Sequence, residues 1–377
     1  MTRLVPFSPL RRAFPTKLKR RPRCADMVAF PDPRRRHPFH MHDMILGQPG
    51  FIAEALRRTS ATDLSSFVGR PRRFVLTGCG TSFHAATYGA RVFQEVMPSV
   101  PVLAVHAYDL AYGSSVSANA TVLGVSHSGS TPTTNRALRR ARRRGCRSLA
   151  VCGLPNSPME RVADHTLVIG STHDRSWANT MSYTTQLAAL AGLASRSRSH
   201  VGPSMEPALR GIARSLENTL ACESRVRRLA TQIARRARIT FLGSDLDEIT
   251  ALEAALKIRE TCGLPAGGYH PEQFLHGPYL SIDDQESIVM LLSRDDGPRS
   301  AAISRALKAS GAAVATIGES ARAQIRLPAV PRILRPILSI VPMQFLAYYA
   351  ALARHANPDI MRTDIPRLRA GVEALFH

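Results

Sequence analysis

The sequence predicts an α/β protein of two tandem domains, each a doubly wound parallel sheet. Three observations predict this. From Phe74 onward, short apolar runs alternate with segments of helical period. The alternation runs through the chain twice in the same order. Two strand-to-helix turns are rich in glycine and hydroxyls, as expected at the carboxyl ends of parallel strands.

Each element can be justified in turn. Phe74–Leu76 reads as a strand, followed by the turn Gly78-Cys79-Gly80 and a helix from Ser82. Val102–Val105 and Thr121–Val125 read as the next strands, the latter running through Ser126–Ser130 into a helix that ends near Arg144. Ser148–Cys152 and Thr166–Ile169 complete the first set, and a long helix covers Ser182–Ala194. A basic helical stretch, Glu206–Arg236, bridges to the second set. There Ile239–Leu242 is a strand, Asp247–Cys262 a helix and Ser287–Leu292 a strand. A helix at Ser300–Ser310 and strands at Ala313–Ile317 and Gln324–Leu327 follow. The expected organisation is a basic, disordered extension over 1–36, a helical lead-in over 37–66 and a first domain over 67–200. A helical linker over 201–224, a second domain over 225–360 and a tail over 361–377 complete it.

Composition narrows the function classes. The 377 residues carry a formal net charge of +22. Residues 1–36 hold eleven Arg/Lys against two Asp/Glu, so +9 lies there and +13 is spread over the rest. That balance raises the question of nucleic acid. Aromatics are only 6% and do not interleave with the basic runs, so stacking platforms are not expected. Six scattered cysteines without a paired motif read as free thiols of a reduced, cytoplasmic chain. The longest apolar run, near Ile337–Leu352, carries Pro342, Gln344 and two tyrosines and reads as a buried helix, not a membrane span. His37, His40 and His42 are close in sequence but fall in a segment expected to be mobile and lacking a carboxylate set, so no metal is expected.

Two segments carry chemistry. Strand Thr121–Val125 runs into Ser126-His127-Ser128-Gly129-Ser130-Thr131, then Pro132 and a helix. A helix N-terminus offers free N–H groups and a positive dipole end. Gly129 lets the backbone approach an anion, and Pro132 suits the first turn. An ordinary N-cap needs one hydroxyl, and four within six residues exceed that need. No phosphate-loop or dinucleotide glycine pattern appears in strand–helix context, so a nucleotide is less favoured. In the second half, Glu253, Lys257 and Glu260 share one helix face. A solvated salt-bridge stripe is the usual meaning of such spacing. Here apolar Ile249, Ala254, Leu256 and Ile258 flank it. Beyond residue 36 the chain uses lysine only at 257 and 308, so a compact ammonium at 257 looks chemically chosen.

These motifs, in this order, resemble the SIS (sugar isomerase) family, and specifically the tandem-SIS isomerase half of glucosamine-fructose-6-phosphate aminotransferases. The resemblance rests on Met44-Ile45-Leu46-Gly47-Gln48-Pro49, Gly78-Cys79-Gly80-Thr81-Ser82, the Ser-rich loop and the helix Leu252–Glu260. Glu272-Gln273-Phe274-Leu275-His276-Gly277-Pro278, Asn357-Pro358-Asp359 and Pro366-Arg367 extend it. It covers roughly nine-tenths of the chain and implies flavodoxin-like domains. It implies that Ser82, Ser126, Ser128 and Thr131 hold a sugar phosphate, and that Thr81 and the backbone around Ala178 touch the sugar. His127 stands where the family usually has glutamine; it could still donate to the phosphate, with a charge that would depend on pH. Glu260 would be the base for C1–C2 proton transfer and Lys257 would stabilise charge on oxygen. Glu253 would orient Lys257 or a sugar hydroxyl. His276 would open the ring, supplied by the neighbouring subunit of a homodimer. No cofactor is implied. The acidic stretch Ser293-Arg294-Asp295-Asp296 is unsuited to phosphate, so one site per chain is expected.

The chain also departs from that pattern. No glutaminase region precedes the first domain, and the tail Pro366–Gly371 lacks the family's lysine. Asn179 and Met181 replace the usual serine and lysine. The expectation is an amino-sugar phosphate isomerase/deaminase of the glucosamine 6-phosphate/fructose 6-phosphate type. A fructosamine-phosphate deglycase, an aminotransferase-type subunit fed ammonia by a separate partner, and a non-catalytic sugar-phosphate sensor are the alternatives.

Overall fold

The computed structural model describes residues 34–64, 67, 71–113, 116–197 and 205–376. The extension expected over 1–36 therefore lies outside the described residues except for Arg34 to Arg36. Arg34 is not free, because it pairs with Asp43 at 2.5 Å and its carbonyl accepts from Asn357 at 2.9 Å.

The first sheet contains β1 (Phe74–Thr77), β2 (Val102–Ala104), β3 (Thr121–Ser126), β4 (Arg147–Cys152) and β5 (His165–Val168), in the order β2-β1-β3-β4-β5. All its pairings are parallel. The second contains β6 (Arg238–Leu242), β7 (Ala266–Tyr269), β8 (Glu286–Leu292), β9 (Ala313–Gly318) and β10 (Ile325–Arg326), in the order β10-β9-β8-β6-β7. Numbered from its own first strand, the second sheet repeats the order of the first. Both are the flavodoxin-like arrangement, in which the chain switches direction between its first and third strands.

The helices are α1 (His40–Leu46), α2 (Gln48–Ala61), α3 (Thr81–Val96), α4 (Pro132–Arg143), α5 (Thr180–Ser195), α6 (Glu206–Leu220), α7 (Glu223–Ile233), α8 (Asp247–Cys262), α9 (Pro271–Leu275), α10 (Pro298–Ala309), α11 (Arg335–Ala353) and α12 (Pro366–Phe376). One large core joins the facing sides of both sheets through α2, α3, α5, α7, α8 and α11. Two smaller clusters lie outside it, under α4 on the first sheet and under α10 on the second. The linker helix α6 does more than span a gap. Its stripe Leu209, Ile212 and Leu216 is buried against α2, α5 and α11. Likewise α1 and α2 bury Met41, Ile45, Ile52 and Ala55 completely.

Strand β7 was missed by sequence reasoning, as were the helices α9 and α12. Its Ala-Gly-Gly-Tyr run has little strand propensity. Gly268 explains the choice: a Cβ there would lie 2.4 Å from the Ala251 carbonyl oxygen of α8. The missing side chain lets α8 lie directly on the strand. The histidines expected in a mobile segment are fixed instead. His37 bonds Tyr348 at 2.7 Å, and His42 bonds Glu223 at 2.5 Å from within α1. Helix α11 belongs to a segment, Arg332–Ala353, long and apolar enough to cross a membrane, yet 89% of its most apolar window is buried inside the protein.

Candidate active site

Helix α8 inverts the usual surface pattern. Leu252 points outward, 38% exposed, while Glu253 and Lys257 are completely buried. The Lys257 ammonium donates to Glu260 Oε2 at 2.5 Å, to Thr81 Oγ1 at 3.1 Å and to the Ala178 carbonyl. Glu253 Oε1 lies 3.3 Å away. Three donors with three acceptors fix Lys257 as a point charge. Burial opposes that charge, but Glu253 and Glu260 more than offset it and hold the lysine above its ordinary pKa. Burial likewise opposes ionisation of Glu253, and Lys257 and His84 prevail, keeping it below the ordinary carboxylate value. For Glu260 burial wins over Lys257, so its pKa is raised. Glu260 is also the open member of the set, its side chain 15% exposed against 0% for Glu253.

The first domain meets this helix through α3. Thr81 Oγ1 donates to Glu253 Oε1 at 3.0 Å and accepts from Lys257. One turn on, His84 Nδ1 lies 2.6 Å from Glu253 Oε2. His84 was not singled out from the sequence, because a histidine one turn into a helix carries no motif signal. Ser82 Oγ accepts from Gln186 Nε2 of α5 at 3.2 Å. Thr81 is thus a clamp between the domains as well as the expected sugar contact.

The Ser-rich loop leaves β3 beside β1, at the switch point of the sheet. Ser126 Oγ and Thr131 Oγ1 lie 3.1 Å apart, and Ser128 and Ser130 pair at 2.8 Å. Thr131 is the N-cap of α4 but makes no side-chain capping bond. Simple capping therefore does not account for these hydroxyls. Gly129 has φ +62°, and a Cβ there would lie 2.4 Å from Ser157 Oγ. The equivalent loop of the second sheet is filled from within, since Asp296 accepts the Ser293 N–H.

Two expected contacts turn out differently. Both ring nitrogens of His127 face the protein. Its ring packs against Gly153, and its Nε2 accepts the Asp174 N–H at 3.2 Å. Its Nδ1 is buried with no partner among the described residues. Burial, then the nearby His173, lowers its pKa to about 4, so it is neutral over the physiological range. The Ala178 carbonyl is taken by Lys257, and Ala178 itself is fully buried. It acts on the lysine. Asp174 builds that segment, accepting from Ser176 N at 3.2 Å and from Ser182 N at 3.0 Å. His276 ends α9, exposed, with no side-chain bond to the α8 cluster among the described residues. The structure thus brings together Thr81, His84, Ala178, Glu253, Lys257 and Glu260, with the hydroxyl loop on the neighbouring strand.

Comparison with known proteins agrees with this fold. The SIS domain family matches residues 69–196. The glutamine–fructose-6-phosphate aminotransferase (isomerizing) of Symbiobacterium thermophilum is 33% identical over 305 residues, covering 76% of this chain and 50% of that protein. The chain spans about half the length of the curated relatives it matches. Among solved structures, the C-terminal domain of the Francisella tularensis glucosamine-fructose-6-phosphate aminotransferase superposes with a TM-score of 0.77 at 21% identity. It covers 85% of this chain and 98% of that one. A glucosamine-6-phosphate deaminase from Thermotoga maritima superposes with a TM-score of 0.69 at 19% identity, covering 85% and 96%.

Proposed function

We propose that this chain, whose residues 69–196 match the SIS domain family, is an amino-sugar phosphate isomerase/deaminase acting on a hexose 6-phosphate by proton transfer between C1 and C2. The observation that carries this is the buried Glu253–Lys257–Glu260 array, in which the only partly exposed group is a carboxylate of raised pKa. A base poised upward and open to a ligand suits abstraction of a carbon-bound proton. Lys257, one turn away and fixed as an ammonium, stabilises the oxyanion of the enediol or enolamine that results. The hydroxyls of Ser126, Ser128 and Thr131, with Ser82, hold the phosphate at the dipole ends of α4 and α3. Glu253 keeps Lys257 charged and placed. His276, exposed on its own chain, serves ring opening in a neighbouring subunit of a homodimer.

One feature sets the chain apart from the aminotransferase pattern. Beyond residue 36 the only lysines are Lys257 and Lys308, and Lys257 is engaged on all sides, so no tail lysine is present to form an imine with the sugar. The protein acts as a cytoplasmic enzyme without a cofactor. Incubation with glucosamine 6-phosphate, with ammonia and fructose 6-phosphate measured by coupled assay, tests the proposal. Release of both, lost in Glu260→Gln, is the expected result. Saturable binding without either product would overturn it and leave a sensor. Glucosamine 6-phosphate formed from fructose 6-phosphate only when ammonia is supplied would place the chain with subunits fed by a separate partner.

A further inference from the structure

We propose that His84 is a positioning residue that holds Glu260 in its ionised, proton-accepting form, acting through Glu253 and Lys257. This rests on Glu260 being the base. Helix α8 holds a buried carboxylate and ammonium, Glu253 and Lys257, with a second, partly exposed carboxylate, Glu260, against them. With Glu260 ionised, that set carries a net negative charge in a place with little water, which is costly unless another positive group is present. Asp174 deepens the imbalance as a further buried carboxylate beside Lys257, its pKa pushed up to about 6 by burial. Among the described residues, Glu253 ion-pairs with Lys257 and His84 and with no arginine. In a chain with 46 arginines that exclusion is informative. His84 is the group able to supply the missing charge: Nδ1 lies 2.6 Å from Glu253 Oε2, and the side chain, 19% exposed, can exchange its proton with solvent.

The groups around the pair can be named. Helix α8 contributes Glu253 and Lys257, and the segment ahead of α5 contributes Asp174. Helix α5 contributes Tyr183, whose hydroxyl is held neutral by burial and by Glu253. Arg362 donates to Cys262 O at 3.0 Å at the end of α8, and Asp247, paired with Arg335, lies at its start. When His84 is protonated the set Glu253, Lys257, Glu260, His84 is neutral, and Glu260 remains a carboxylate. Without a positive charge at His84 the set with Glu260 ionised is net negative, which disfavours the carboxylate form of Glu260.

The test separates charge from packing. His84→Asn keeps a donor near the Nδ1 position and removes the charge, and His84→Gln serves the same purpose if the first variant does not fold. Glutamate labelled with ¹³C at the carboxyl lets Glu260 be titrated directly, its resonance assigned by its loss in Glu260→Gln. In the uncharged variant the Glu260 midpoint is expected to rise by about one unit, a roughly tenfold fall in ionised base at a given pH. The acid limb of C2 proton exchange follows it. A folded variant whose Glu260 midpoint and acid limb match wild type would overturn the proposal and leave His84 a packing residue. The titration needs no turnover. A shifted midpoint in a protein that never exchanges the C2 proton would sink the proposed reaction and leave the coupling standing.

Discussion

At the residue scale the site is a set of buried charges that stabilise one another. Lys257 is held by two carboxylates, a threonine and a backbone carbonyl, and no single partner accounts for its charge. Lys257→Met is expected to cost about 3 to 5 kcal/mol of stability in chemical denaturation, because it strands buried carboxylates. Lys257→Arg is expected to fold poorly and lose turnover, since a planar fork does not fit where three acceptors converge on a point charge. Asp174 offers a pH test. Its folded pKa, about 6, lies above the ordinary 3.8, so its contribution to stability is full below about pH 4 and is lost as pH rises through 6. Asp174→Asn should flatten the stability–pH curve between those limits by about 3 kcal/mol, measured by urea titration at each pH. A curve of unchanged slope would contradict the assignment. Glu253, Lys257 and Glu260 were legible in the sequence because helical spacing and the scarcity of lysine both mark them. His84 was not, because its partner is 169 residues away. The setting of His127 was not legible either, because a position in the loop says nothing of which way the ring turns. Burial against Gly153 turned it inward.

Two elements decide how the site is assembled. Helix α8 lies on β7 only because Gly268 has no side chain. Gly268→Ala should displace α8, costing about 1 to 3 kcal/mol and lowering turnover more than substrate affinity, read by thermal melts and steady-state kinetics. The loop before α4 behaves in the opposite sense. Gly129→Ala meets both a positive φ and Ser157, so it should raise KM for the phosphorylated sugar with a smaller effect on kcat. Most strands were legible from their apolar runs. The strand β7 was hidden because packing of α8, and not propensity, makes Ala266–Tyr269 a strand.

At the scale of the whole molecule, the first domain's helix α3 meets the second domain's charged helix through Thr81 and His84, and the two sheets share a common core. The tandem organisation was visible in the sequence as a repeated alternation. The sharing of one core was not, because α2 and α6 show their apolar stripes without showing what covers them. If His276 completes a neighbour's site, Glu260→Gln and His276→Ala chains are each inactive alone. Mixed and allowed to exchange subunits, they should recover about a quarter of the wild-type sites. No recovery despite confirmed mixed dimers would place His276 in its own chain's chemistry or outside it. The central claim is that Glu260 moves a proton at the sugar's C2. It is tested most directly by following the C2 proton of glucosamine 6-phosphate in deuterated water by NMR. Exchange in wild type that falls about 100-fold or more in Glu260→Gln, with substrate binding retained, is the predicted result. Equal exchange in both proteins, or none in wild type with the sugar bound, would contradict it.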